Sequence, residues 1–290
     1  MSNYPEDYVE KVLNDIEALK GKRKAKRANI FERATTKWCD PKILHANPYD
    51  EFSDGKIGPN FEIVGQYTKV IKNNKIHGEL IFDEPVIIQK IDPDGYQIIN
   101  GHHRWFAALR MGLEKLHVKI VNLVGEEEVK EMLDKTENVF IAVFDLDEVL
   151  FGSNPDDAAP ITDALFANRF KERLRTGAPE LINTLHEHGY DICVYTKSYM
   201  TVEEIDDFFS MYDIKIEGEV NGFGTMKKRD PEARARLGEM LKNRYKRSVH
   251  IDNEQIFNDD REKGTQDFFD LNADGSSWSE SAIRVIESLT

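Results

Sequence analysis

Residues 139–150 read VFIAVFDLDEVL. Six apolar residues in succession, with no polar alternation, suit a strand covered on both faces, and such strands belong to parallel sheets flanked by helices. Where the run ends, Asp145 and Asp147 stand two positions apart. Strand side chains alternate with period two, so both carboxylates begin on one side while Leu146 faces away. Ligands of open α/β sheets bind at the carboxyl ends of their strands. Two acids placed there without a neighbouring base repel each other unless a cation lies between them. A hard cation with oxygen ligands, such as Mg²⁺, meets that need.

Working outward, helices are expected over residues 179–188, 202–212 and 231–245, with a last one from Glu280. Strands are expected over 191–195 and 248–251. Strands alternating with helices predict a doubly wound parallel sheet. Upstream, the acidic stretch 125–138 reads as a short helix and linker, which puts a domain boundary near residue 136. Before it, Tyr8, Val9, Val12, Leu13, Ile16 and Leu19 fall at helical spacing. Residues 38–60, rich in Pro, Gly, Asn and Asp, read as loop. A helix over 61–72, strands over 84–91 and 96–99, a helix from His102 to Gly112 and a strand over 117–121 complete the first half. The expected fold class is α/β: a doubly wound parallel-sheet domain over 137–290 and a smaller α+β domain over 1–136.

The net charge of −14 is uneven. Residues 1–136 hold 21 Lys and Arg against 22 Asp and Glu, and the remainder 18 against 31. An acidic second half repels polyanions unless a metal or a local basic patch intervenes. The first half has a basic run, Lys20, Lys22, Arg23, Lys24, Lys26 and Arg27, which is either a solvated helix end or a phosphate or nucleic-acid contact. No stretch approaches the about 20 apolar residues of a membrane-spanning helix. The start, MSNYPEDYVE, is polar and acidic rather than a secretory signal, and Cys39 and Cys193 make no disulfide framework. A reducing, cytoplasmic location is expected.

Four segments of the second half resemble, in order, the motifs of the haloacid dehalogenase (HAD) superfamily. FDLDEVL matches its Asp-x-Asp-x-[Thr/Val] through Asp145, Asp147 and Val149. GAPELINTLHEHGYDICVYTKS leads to Thr196 as the hydroxyl residue, KKRDPEARARLGEML supplies Lys228, and SVHIDNE supplies Asp252. The resemblance implies a Mg²⁺-dependent phosphatase. Asp145 would attack phosphorus to give an aspartyl-phosphate, and Asp147 would protonate the leaving oxygen and then activate water. Thr196 would hydrogen-bond a phosphoryl oxygen, and Lys228 would offset its charge. Asp145, Asp147 and Asp252 would hold the metal. The chain departs from the pattern in Glu148, where the family has glycine, and in Asn253 and Phe257, where a second outer acid often falls. Asn253 and Asp259 remain as alternatives for that ligand. About 30 residues on either side of the second motif leave no room for a full cap domain, which admits a bulky substrate.

In the first half, PVIIQKIDPDGYQIINGHHRWFAALRMGLEKLHVKIV carries Gly101, His102, His103 and Arg104 at an expected helix start. Backbone N–H groups and the positive dipole end suit a phosphate there. Arg104 adds a bidentate fork and the histidines a donor or proton shuttle, or they simply cap the helix. With Ala107 and Ala108 following, residues 60–124 resemble the ParB/sulfiredoxin-like fold, whose ParB members bind a nucleoside triphosphate at this signature. His102 stands where sulfiredoxin has cysteine. Asn100 replaces the Asp of the Asp-Gly-His-His-Arg found in relatives that phosphorylate free serine. The combined expectation is a Mg²⁺-dependent phosphohydrolase acting on a phosphorylated nucleotide or nucleic-acid end, with a nucleotide- or phosphate-binding domain. A loose resemblance of residues 230–254 to the phosphatase half of polynucleotide kinase-phosphatases points the same way. The alternatives are a small-molecule kinase joined to a phosphatase, and a non-catalytic DNA-binding module.

Overall fold

The structure, a computed structural model, describes residues 12, 16, 24–54, 56–77, 82–92, 95–152, 154–222, 232–271 and 275–289. Its contacts divide the chain into two compact units, Met1–Asn122 and Leu123–Thr290. No helix among the described residues is long and apolar enough to cross a membrane.

The first unit runs β1 (Lys24–Ala25), α1 (Ile30–Arg33), β2 (Lys37–Cys39), β3 (Leu44–His45), α2 (Phe61–His77), β4 (Val86–Asp92), β5 (Tyr96–Asn100), α3 (His102–Arg110) and β6 (Leu116–Ile120). Its sheet has the order β2-β6-β4-β5-β3, with β1 beside β4. β4 pairs in parallel with β6 and antiparallel with β5. Strand β6 alternates in burial, so Leu116, Val118 and Ile120 enter the core while His117 and Lys119 are only half-buried. Val64 and Ile71 of α2 and Phe106–Ala108 of α3 close that core over Val86, Ile88 and Ile98. Residues 38–60, expected as loop, also contain β3 and two 3₁₀ turns. Each turn is started by an aspartate that accepts a backbone N–H, Asp40 from Lys42 and Asp50 from Phe52. Such short elements leave no periodicity to read. The helix expected over residues 7–19 lies outside the described residues, apart from Val12 and Ile16, which are helical.

The second unit runs α4 (Glu126–Leu133), β7 (Phe140–Asp145), α5 (Ala178–Glu187), β8 (Tyr190–Tyr195), α6 (Val202–Ser210), β9 (Gly218–Val220), α7 (Ala233–Arg244), β10 (Arg247–Ile251), β11 (Gln255–Asp260), β12 (Thr265–Asp270) and α8 (Trp278–Leu289). The sheet order is β12-β11-β10-β7-β8-β9. Strands β10, β7, β8 and β9 are parallel, as expected. The sheet is nevertheless mixed, because β11 and β12 extend it as an antiparallel hairpin. That hairpin escaped the sequence reading because β12 is exposed apart from Phe269, so its residues show no alternation of buried and exposed positions. Three-residue β9 was too short to register.

Helices cover both faces of this sheet. Ala142, Phe144, Ile192 and Val194 pack with Leu181, Leu185, Phe208, Ala282 and Ile286. Ile141, Val143, Cys193 and Val220 pack on the other side with Val129, Leu133, Leu237 and Leu241. The unbroken apolar run at residues 139–144 has this cause: consecutive residues enter different cores. The sequence put the boundary near residue 136, whereas the units divide after Asn122. Helix α4 belongs with the second unit because its Val129 and Leu133 are fully buried there.

Two stability predictions follow from this packing. A fragment 137–290 lacks α4 and exposes the surface that Val129 and Leu133 cover, at about 1.5–3 kcal/mol per side chain. It should unfold at lower urea than a fragment 123–290. Equal midpoints would place α4 outside the second unit's core. Glu219 of β9 is 4% exposed, its Oε2 has no hydrogen-bond partner, and burial followed by the charges of Asp206 and Glu203 pushes its carboxyl up to about 9. An acid whose folded pKa is raised holds its proton in the native state. Stability is therefore fully present below about pH 4.5 and lost as pH rises towards 9. Glu219→Gln should stabilise by about 1–3 kcal/mol at pH 8, and the gain should shrink at pH 5. Urea unfolding at the two pH values measures both.

Candidate functional site

From β7 the chain adds β8 and β9 on one side and β10 on the other. The carboxyl ends of β7 and β10 therefore border the crevice where open α/β sheets bind ligands. Asp145 is the last residue of β7. A single wide turn, Leu146–Leu150, follows and closes with Phe151 N–H donating to Leu146 O at 3.0 Å. The turn carries Asp147 and brings Glu148 N–H to the Asp145 carboxylate at 2.8 Å. Beside β7, strand β8 delivers Thr196, which is 1% exposed. Thr196 Oγ1 lies 3.0 and 2.9 Å from the two carboxylate oxygens of Asp147, and Lys197 N–H donates to Asp147 at 2.5 Å. Ser198 Oγ lies 2.8 Å from Thr196 Oγ1. The Lys197 ammonium pairs with Glu148.

Asp252 follows β10, whose Ile251 lies opposite Phe144, so Asp252 comes level with Asp145 at the neighbouring strand end. Its Oδ1 accepts Asn253 N–H at 2.6 Å, and its backbone carbonyl accepts Trp278 Nε1–H at 2.9 Å. Asn253 Nδ2 donates to Glu148 O at 2.9 Å, and its Oδ1 accepts Arg175 Nη1–H at 2.9 Å. Arg175 lies over the Trp278 ring, 4.5 Å from its centre. It comes from the excursion between β7 and α5, pinned by the bridges Phe151–Leu174 and Ala158–Arg175. A cavity of about 380 Å³ opens beside Asp145, Glu148 and Asp252 and runs between β10 and Leu237 and Leu241 of α7.

Burial is the main cause that raises the Asp145 carboxyl above its ordinary value, with the charges of Glu148 and Asp147 adding to it. The hydrogen bond from Glu148 N–H and the Lys197 charge act in the opposite sense. Lys197 is raised chiefly by its hydrogen bond to Glu148.

The structure places Asp145, Asp147 and Thr196 at adjoining strand ends, with Asp252 beside them. Lys228 lies outside the described residues. Of the two alternatives for an outer ligand, Asn253 is at the strand end. Asp259 pairs with Ser248 at the other end of β10, near Lys242 and Gln266. Lys197, Ser198 and Arg175 were missed. The first two adjoin Thr196 and could have been noticed, whereas nothing around Arg175 marks it in the sequence.

Among the described residues, no group of three or more His, Cys, Asp or Glu side chains converges in a way that could hold a metal ion. Asp147 is turned onto Thr196 and Lys197 N–H. Asp145 and Asp252 remain as a pair of oxygen donors on neighbouring strand ends. Mg²⁺ commonly takes one or two protein carboxylates and completes its shell with water and phosphate, so the donor set fits it.

In the first unit, Gly101 caps α3 with φ 96° and ψ 24°, a left-handed conformation that glycine adopts without strain. A side chain there would also meet Arg104 at 3.1 Å and Val86 at 3.2 Å. His102 is buried, and its Nε2 accepts Asn47 N–H at 3.0 Å. His103 Nε2 accepts Asn60 N–H at 3.1 Å, and burial lowers its pKa. In this arrangement both rings act as acceptors and are neutral, with the remaining proton on Nδ1. Phe52 stacks on His102 and meets His103 edge-on. Arg104 is buried, and its fork is already engaged. Nη1 donates to Glu84 O at 2.9 Å and Oε2 at 3.2 Å, and Nη2 to Asn100 Oδ1 at 3.1 Å.

Residues 68–138 match the family model of the ParB N-terminal domain. The chain is 35% identical over 72 residues to an ATP-dependent L-serine kinase of Staphylothermus marinus, covering 24% of this chain and 28% of that protein. It is 40% identical over 53 residues to a nucleoid occlusion protein of Listeria innocua, 18% of each chain. The chain thus spans under a third of the length of the curated relatives it matches. Among solved structures, the C-terminally truncated chromosome-partitioning protein ParB from Caulobacter crescentus, complexed with CTP-gamma-S, aligns with 36% of this chain and 56% of its own. The identity is 22% and the TM-score 0.25. The stretch of the chain that is similar to the ParB N-terminal domain, residues 68–138, thus contains the Gly-His-His-Arg helix start.

Proposed function

We propose that the second unit is a HAD-type, Mg²⁺-dependent phosphohydrolase working through an aspartyl-phosphate on Asp145, acting on a phosphorylated nucleotide or nucleic-acid end. The observation that carries this is the grip of Thr196 Oγ1 and Lys197 N–H on the Asp147 carboxylate, beside Asp145 at the end of β7. A hydroxyl and a backbone N–H that hold two anionic oxygens can hold phosphoryl oxygens equally well. In the reaction a carboxylate oxygen of Asp145 forms a bond to phosphorus and the ester P–O bond breaks. Asp147 turns from Thr196, takes up a proton from solvent, gives it to the leaving oxygen, and then takes one from the water that cleaves the acyl phosphate. Thr196 and Lys197 N–H are thereby released to the phosphoryl oxygens. Lys228 is assigned the charge-offsetting role that the motif gives it. Asp145 and Asp252, with Asp147 once turned, would hold Mg²⁺, which when bound offsets charge on the phosphoryl oxygens.

In the first unit we assign the start of α3 to a nucleoside triphosphate. The left-handed Gly101 leaves the helix N-terminus unobstructed, and Glu84, the carboxylate on Arg104, has a side chain 83% exposed. An exposed partner can give way to a phosphate. The likeness to an ATP-dependent L-serine kinase favours ATP, and with it a second reading in which the first unit phosphorylates a small hydroxy compound. Asn100, bound to Arg104 where kinases of that type carry Asp, counts against this second reading.

Three outcomes test these assignments. Asp145→Asn should keep the thermal midpoint and lose at least a thousandfold in kcat on p-nitrophenyl phosphate with Mg²⁺. Turnover near the wild-type rate would exclude Asp145 as nucleophile. Asp252→Ala should raise the Mg²⁺ needed for half activity at least tenfold, and an unchanged titration would remove it as a ligand. Arg104→Ala should weaken ATP binding in calorimetry about tenfold or more, the worth of a charge-assisted pair. ADP release with free serine would select the kinase reading.

A further inference from the structure

A charged cavity in the first unit takes no part in either site above. It has a volume of about 440 Å³, lies in the first unit, and is lined by Lys26, Lys42, Lys90 and His45 together with Ile43, Ile91, Gly95 and Tyr96. Its position is fixed by the β4–β5 hairpin. Lys90 pairs with Tyr96, and Lys26 N–H donates to Lys90 O at 2.9 Å, which ties the end of the basic run to the same strand. Strand β5 runs from Tyr96 to Asn100, and Gly101 follows it. The cavity is therefore at the start of β5 and the α3 site at its end, separated by roughly 13 Å of strand at about 3.3 Å per residue.

Three ammonium groups around one concavity repel each other unless countered. Lys90 is countered, by Glu32 at 2.6 Å. Lys26 meets Asp92 at 3.9 Å, with both side chains more than half exposed, a geometry worth little. Lys42 is exposed, and among the described residues no carboxylate pairs with it. The site is thus partly neutralised on one wall and open on the other, with the Tyr96 ring and Ile43 as an apolar floor. Ammonium donors bind phosphate as point charges, and an aromatic face beside them accepts a base or sugar. We propose that this cavity is a second phosphate site, separate from residues 101–104, and that Lys42 and Lys26 contact a phosphate group there. The group comes from a nucleic-acid backbone or from a free polyphosphate chain.

The test uses the full chain and two probes, a fluorescein-labelled 20-nucleotide single-stranded DNA followed by anisotropy and inorganic tripolyphosphate followed by calorimetry. Lys42→Ala and Lys26→Ala, both at exposed positions, should keep the wild-type melting temperature. Each should raise Kd for at least one probe about fivefold or more. For DNA, each should also reduce the slope of log K against log salt by about one. A loss confined to DNA identifies a backbone phosphate as the ligand, and a loss with tripolyphosphate identifies a free chain. Lys42→Ala combined with Arg104→Ala should show additive losses, because the two sites are separate. Unchanged Kd values in both lysine variants, whatever Arg104→Ala does, or absence of saturable binding to both probes, would overturn the proposal.

Discussion

The arrangement of the second unit depends on the parallel pairing of β7 with β8 on one side and β10 on the other. Those two registers place Asp145 opposite Tyr195 and set Phe144 opposite Ile251. Three segments far apart in the chain then bring Asp147, Thr196 and Asp252 to the same end of the sheet. Nothing in the local sequence of any one segment demands this. It follows from burying both faces of the central strand, which fixes register because a one-residue slip would exchange the two cores.

The same constraint explains the charge arrangement at the strand ends. Backbone amides and hydroxyls left unpaired where strands stop need anionic partners, and here Asp145 and Asp147 supply them. Glu148 N–H and Lys197 N–H both end on carboxylates. Arg175 and Asn253 then anchor the turn that carries Asp147, through Glu148 O and the Trp278 ring. The donors at this strand end are thereby already oriented, and in the reaction proposed above Asp147 has to turn away to free them.

The first unit meets an analogous problem differently. Its helix start at Gly101 is flanked by histidines that accept backbone N–H groups from Asn47 and Asn60. These contacts fix the loop around residues 47–60 onto α3. The histidines are thereby held beside Gly101, and the Arg104 fork is held by Glu84 and Asn100. At the other end of β5, the hairpin gathers lysines from three segments that are separate in sequence.

The sequence by itself determined the central strand, the Asp-x-Asp at its end, the alternation of helices with parallel strands and the Gly-His-His-Arg helix start. Each is a local pattern written by burial on two faces or by a helix terminus. The tertiary structure alone decided the rest. It placed α4 with the second unit, because its apolar stripe has a partner only there. It added the hairpin β11–β12, whose outer strand β12 is mostly exposed and pairs through backbone hydrogen bonds rather than through a hydrophobic pattern. It separated Asp259 from the strand ends, because antiparallel pairing carries β11 back to the start of β10. It brought Arg175 to Asn253, 78 positions away. It gave the Arg104 fork its partner Glu84, 20 positions away. Register, chain reversal and long-range hydrogen bonds act between segments, and a linear pattern records only what each segment buries.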